Sequence, residues 1–132
     1  MEIEKIFKNL ILIDFVILIL IVISSFYQSN QYSEVYQYLD KGLFANYGNF
    51  KSIISIILFF LYLFTLNLLY RFIYYGKSLY LFIIVAGLLL NYFNGSVIYT
   101  AYGGILDQIG GIISGAILVL LYFSPVKENF KR

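Results

Sequence analysis

Asp14 stands inside the stretch NLILIDFVILILIVIS, residues 9 to 24, where most side chains are branched aliphatics. A carboxylate in such company pairs with a cation, serves as a proton or ion site, or reaches interfacial water, because an unmet charge in hydrocarbon is costly. Lys8 is six residues back, on the wrong side of the helix. Asn67 and Arg71 are four apart and share a helix face. Arg71 matches Asp14 in expected depth. The expected arrangement is an ionised Asp14 held by the Arg71 guanidinium, with Asn67 as a further donor. A guanidinium can bind both carboxylate oxygens and opposes the neutralisation that an isolated carboxylate undergoes in lipid. The same three residues could instead form a proton or ion site.

A second polar group is expected toward the opposite end: Asn91 and Asn94 on a third apolar segment, Asp107 and Gln108 on a fourth. Amides at such positions act as hydrogen-bond glue between helices, or together they could line a small polar pocket open to the outside. The fourth segment also carries GGIISGA. Gly111 and Gly115 form a GxxxG pair, and Gly104, Gln108, Gly111 and Gly115 share one flank. Glycine lets two backbones approach closely, so this flank is expected at a helix–helix contact, within one chain or across a homodimer.

Other chemistry is excluded by residue type. There is no Cys and no His, so disulfides, thiolate metal sites and the commonest general base are absent. The spacing from Gly110 to Gly115 lacks the Lys and Ser/Thr of a phosphate loop. No nucleophile–base pair or zinc motif stands out. The expectation is no enzyme, no metal and no cofactor. A net charge of +2 without a long basic run argues against a nucleic-acid partner.

The elements that must position these residues follow from composition. The chain has 132 residues, 61% hydrophobic and 12% charged, against roughly half apolar and a quarter charged in soluble domains. Lipid is the solvent that fits. Four apolar segments, about 10–26, 52–72, 79–98 and 104–123, each approach the roughly 20 residues that cross a bilayer core as a helix. They lack the alternation of barrel strands. The expected fold is all-α: one polytopic domain over 1–132, with four transmembrane helices in a bundle.

Loop 1, about residues 28–51, has Tyr32, Val35, Tyr36, Leu39 and Leu43 on one helical face, which predicts a short amphipathic helix at the outer interface. Lys5, Lys8, Arg71, Lys77, Lys127, Lys131 and Arg132 fall on one side of the predicted threading, and Lys41 and Lys51 on the other. The positive-inside rule then places both termini in the cytoplasm. The first span reads as an uncleaved anchor. Richness in Ile, Tyr, Phe, Asn and Lys without Trp suggests an AT-rich genome, and the expected location is the plasma or inner membrane of a bacterial cell.

Four short spans with an acid in the first resemble the small multidrug resistance exporters in architecture alone. Here the acid is an aspartate expected near the membrane edge, loop 1 is long, and Trp is absent, so no activity is carried over. The favoured reading is a non-enzymatic accessory, assembly or interaction subunit, in contact with the bilayer and with a second copy or another membrane protein. The alternative is a small transporter or channel using Asp14 and the Asn91/Asn94/Asp107 cluster. The aliphatic and aromatic stretch between the two polar groups disfavours an open pore.

Overall fold

The computed structural model describes residues 2–31, 48–93 and 99–130. Four α-helices form: α1 (Glu2–Gln31), α2 (Gly48–Tyr70), α3 (Tyr75–Phe93) and α4 (Ala101–Phe123), followed by a 3-10 helix (Pro125–Asn129). All four are long and apolar enough to cross a membrane, the pattern of a multi-pass membrane protein. The predicted amphipathic helix of loop 1 lies outside the described residues.

The helices run further than apolar segments alone indicate. α1 has 30 residues, about 45 Å at 1.5 Å per residue, so it passes beyond a hydrocarbon core of about 30 Å. Lys5 and Lys8 do not stop it, since long cationic stems lie along apolar surface with their heads in water. Thr100 starts α4 earlier than the glycines suggest: its hydroxyl accepts from the Gly103 N–H at 3.0 Å, the usual N-cap bond.

α2 stops at Tyr70 in a turn of defined chemistry. The Ile73 N–H reaches the Leu68 carbonyl at 2.9 Å and the Phe72 N–H reaches Leu69 at 3.0 Å. These are the paired bonds of a Schellman motif, whose left-handed residue is normally glycine. Here it is Phe72, with φ of 56°. A left-handed non-glycine residue costs roughly 1–2 kcal/mol. Its ring offsets this by packing on Phe7 and Phe130, with centroids 5.9 and 5.3 Å away. Such aromatic pairs contribute about 0.5–1.5 kcal/mol each beyond burial.

The helices alternate in direction. α1 packs on α4 and on α2, and α2 packs on α3. The start of α1 and the residues after α4 meet at one end, where Asn129 donates to Glu4 at 2.7 Å. Ser124 ends α4: its hydroxyl bonds the Leu120 carbonyl at 2.6 Å and accepts from the Val126 N–H at 3.2 Å. Pro125 follows, and the 3-10 helix folds back so that Val126 and Phe130 are buried. They join Phe7, Ile11, Leu66, Leu69, Tyr80, Ile117 and Leu121 in one core. Lys8 lies over the Tyr70 and Phe72 rings, and Lys77 over Tyr122 and Phe130. This is the capped end of the bundle.

Candidate functional site

Each helix turns one stripe inward, and each stripe carries one oxygen-bearing side chain at the same level. On α1 the buried positions are Phe7, Ile11, Asp14 and Ile17, spaced by three or four as one helical face requires. On α4 they are Gly103, Leu106, Gly110, Ile117 and Leu121, and Ser114 fills the gap. On α2, Thr65, Leu66 and Leu69 are buried, with Tyr62 half-buried a turn earlier. On α3 the stripe is Gly76, Tyr80 and Ile83.

These four side chains meet. The Tyr62 hydroxyl donates to one oxygen of Asp14. The Ser114 hydroxyl donates to the other at 3.4 Å, and the two hydroxyl oxygens lie 3.5 Å apart. The Tyr62 and Tyr80 rings pack with centroids 5.9 Å apart, tilted by 30°. Tyr80 is wholly buried. Its hydroxyl lies beside Tyr62 and Ser114 without meeting either in hydrogen-bond geometry, and it has no partner among the described residues. Asp14 is 3% exposed. A carboxyl group bridged to α2 and α4 fixes three helices in rotation and depth, at about 1 kcal/mol per interhelical bond. Thr65 takes no part: its hydroxyl bonds the Leu61 carbonyl at 2.7 Å.

The expected partner is not the observed one. Arg71 lies beyond the last residue of α2, exposed, and its backbone N–H bonds the Asn67 carbonyl at 3.1 Å. Asn67 is exposed as well. Depth explains the correction. α1 begins at Glu2, so Asp14 lies at the middle of the span Glu2–Phe26, about 18 Å from its start. Tyr62 is at that level, and Arg71 is nine residues further on, roughly 13 Å along the axis.

The outer group does not close into a pocket among the described residues. Asn91, Asp107 and Gln108 are all exposed, and Asn94 lies outside the described residues. The glycine expectation also changes for contacts within the chain. A Cβ on Gly111 or Gly115 meets nothing within 4 Å, and one on Gly104 meets only the Tyr99 Cβ at 3.6 Å. The close approach is at Gly76, where a Cβ would sit 3.1 Å from the Leu68 Cβ and 3.3 Å from its carbonyl carbon. On α4 the glycine facing α1 is Gly110, where a Cβ would meet Ile17 and Ile21 at 3.4 and 3.6 Å; Gly103 is buried as well. Gly110 is one residue, or 100° of rotation, away from the GxxxG face.

No known family model matches the chain, and no curated protein or solved structure is similar enough to match it. Function therefore rests on the geometry. Among the described residues no three Asp, Glu, His or Cys side chains gather as a transition-metal site would need. An open depression of about 280 Å³ lies at the capped end, lined by Glu4, Lys5, Lys8, Asn9, Leu12 and Tyr70. None of these belongs to the Asp14 node, so the depression provides no route to it.

Proposed function

We propose that this protein is a non-enzymatic subunit of the membrane, whose Asp14 node sets the bundle and whose outer α4 face takes another membrane helix. One observation carries the reading. Asp107, Gln108 and Gly111 are exposed on a helix of membrane-spanning length, and no described part of the chain covers them. Asp107 is six residues into α4, about 9 Å from its start. A carboxylate at that depth is costly against lipid. Polar side chains beside a small residue are the pattern by which membrane helices associate. The partner is a second copy or a different membrane protein.

Orientation belongs to the same proposal. Lys5, Lys8, Arg71, Lys77 and Lys127 all lie at the capped end, so the positive-inside rule turns that end, and with it both termini, to the cytoplasm of the cell membrane.

The absence of cysteine makes the test clean. Single cysteines at Gly111 on α4 and at Leu88 on α3 are treated with a crosslinker in intact membranes. A crosslinked species at position 111 and none at position 88 is the expected result. Equal reaction at both, or none at either, overturns the partner-binding reading.

A second reading, a small ion or proton carrier centred on Asp14, is favoured by the node's position in mid-span with side chains from all four helices. A pH-dependent ion flux in proteoliposomes, lost in Asp14→Asn, would replace the first reading with the second.

A further inference from the structure

The depression at the capped end is lined mainly by hydrogen-bond donors. Lys5, Lys8 and Asn9 on α1 and Tyr70 at the end of α2 surround about 280 Å³, and Glu4 and Leu12 complete the lining. That volume is close to the lower end of the range, roughly 300–1,000 Å³, of sites that hold small molecules. Two ammonium groups against one carboxylate leave the lining with a net positive charge. Among the described residues neither lysine meets a carboxylate in an ion pair, and Glu4 accepts from Asn129 with one of its oxygens.

One of the two cations is held in place. The Lys8 ammonium lies 5.2 Å from the centroid of the Tyr70 ring and 5.1 Å from that of Phe72, within the roughly 6 Å reach of a cation–π contact. Phe72 is the residue that takes the left-handed backbone after α2, so the turn that ends α2 also supplies the platform for the charge. Lys5, one turn earlier on α1, is exposed. Ammonium groups bind phosphate as point charges, and the Asn9 amide and Tyr70 hydroxyl bring neutral donors. The chemistry that fits this lining is a phosphate group.

The surface that continues from the depression selects the source of that phosphate. Lys5, Asn9, Leu12, Val16, Ile19 and Ile23 follow one another at steps of three and four, so they share a face of α1, and all six are exposed. The face starts with a cation and an amide. It then runs as aliphatic side chains from Leu12 to Ile23, about 16 Å along the axis, roughly half of a hydrocarbon core of about 30 Å. A glycerophospholipid has the same order, with its phosphate at the interface and an acyl chain reaching to mid-membrane. Basic pockets between membrane helices bind lipid head groups in this way. We propose that the depression between α1 and the end of α2 binds the head group of an anionic glycerophospholipid, with an acyl chain along Leu12, Val16, Ile19 and Ile23. A choline head group is disfavoured, because it brings a third cation beside Lys5 and Lys8. The site is built from α1 and α2, apart from Asp107, Gln108 and Gly111 on α4, and does not rest on the partner-binding reading.

The test is the melting of the purified full chain in detergent with added phosphatidylglycerol, phosphatidylcholine of the same acyl chains, or inorganic phosphate, at equal ionic strength. A ligand of the folded state raises the melting temperature, so phosphatidylglycerol should raise it by about 5 °C over phosphatidylcholine, and inorganic phosphate should give no rise. Equal melting in the two lipids overturns the proposal. A rise with inorganic phosphate as large as that with phosphatidylglycerol assigns the site to free phosphate and overturns it as well. Lys5→Gln is the decisive variant, since Lys5 is exposed and has no polar partner among the described residues. In phosphatidylcholine it should melt with the wild type, and most of the phosphatidylglycerol increment should be lost. Lys127→Gln removes a charge elsewhere at the capped end and should keep the increment. A full increment in Lys5→Gln, or an equal loss in both variants, shows diffuse attraction to a cationic surface in place of a site.

Discussion

The two halves of the bundle, divided at the Asp14 node, are built differently. Toward the capped end, Phe7, Leu69, Ile117, Leu121, Val126 and Phe130 are almost entirely enclosed. Phe7, Phe72 and Phe130 pack ring on ring. Beyond the node, among the described residues, the buried apolar side chains thin to Ile17, Ile83 and Leu106, while Ile53, Ile56, Leu88, Leu89 and Ile105 are exposed. In water such a half would be unstable. In lipid, apolar burial between helices gives little driving force, and packing shape and polar contacts hold helices together. Among the described residues the first half therefore holds most of the enclosed side chains, and the second half is held mainly by helix shape and the polar node.

The largest expected effect is at the boundary itself. Asp14→Leu leaves the Tyr62 and Ser114 hydroxyls without their acceptor, and each unsatisfied buried group costs about 1–3 kcal/mol. Folded yield in detergent should fall several-fold. Normal yield and melting would mean that the node does not divide the molecule. Next comes Phe130→Ala, which opens the aromatic seal. Truncations of this kind cost about 3–5 kcal/mol in well-packed cores, whereas Leu88→Ala on the exposed face should change stability by no more than about 0.5 kcal/mol. Similar melting of these two variants would erase the contrast between the halves. The smallest effect sharpens it at the glycines. Gly76→Ala meets the Leu68 Cβ and carbonyl carbon and should cost about 1–3 kcal/mol by overpacking. Gly111→Ala meets nothing within 4 Å and should leave the melting of the isolated protein unchanged.

How much of this could be read beforehand differs by feature. The existence of four spans was legible, because an apolar run of about 20 residues has few other uses. Their ends were not: the capped helices continue through Lys5, Lys8 and Lys77, which look like loop residues in a list of letters. That error of eight residues at the start of α1 moved Asp14 from mid-span to the membrane edge and made Arg71 its natural partner. The aspartate itself was conspicuous, whereas Tyr62 and Tyr80 were hidden among 14 tyrosines, a residue expected at interfaces. The signal that could have found them is periodic. Tyr80 lies four residues from Gly76 and three from Ile83, and Ser114 lies four from Gly110 and three from Ile117, on apolar stripes where a hydroxyl needs a reason. The GxxxG spacing drew attention to a face of α4 where a Cβ on Gly111 or Gly115 meets nothing within 4 Å, whereas the register of the apolar stripe, one residue earlier, marks the face turned to α1.

The aromatic seal also orders events in time. Phe7 lies near the start of α1, and its neighbour Phe130 lies beyond α4. A growing chain therefore carries Phe7 and Phe72 without their third ring until every span has been threaded. The bundle closes last at the place where it is best packed, so a nascent chain stalled within α4 already has its spans but lacks the clasp that holds them.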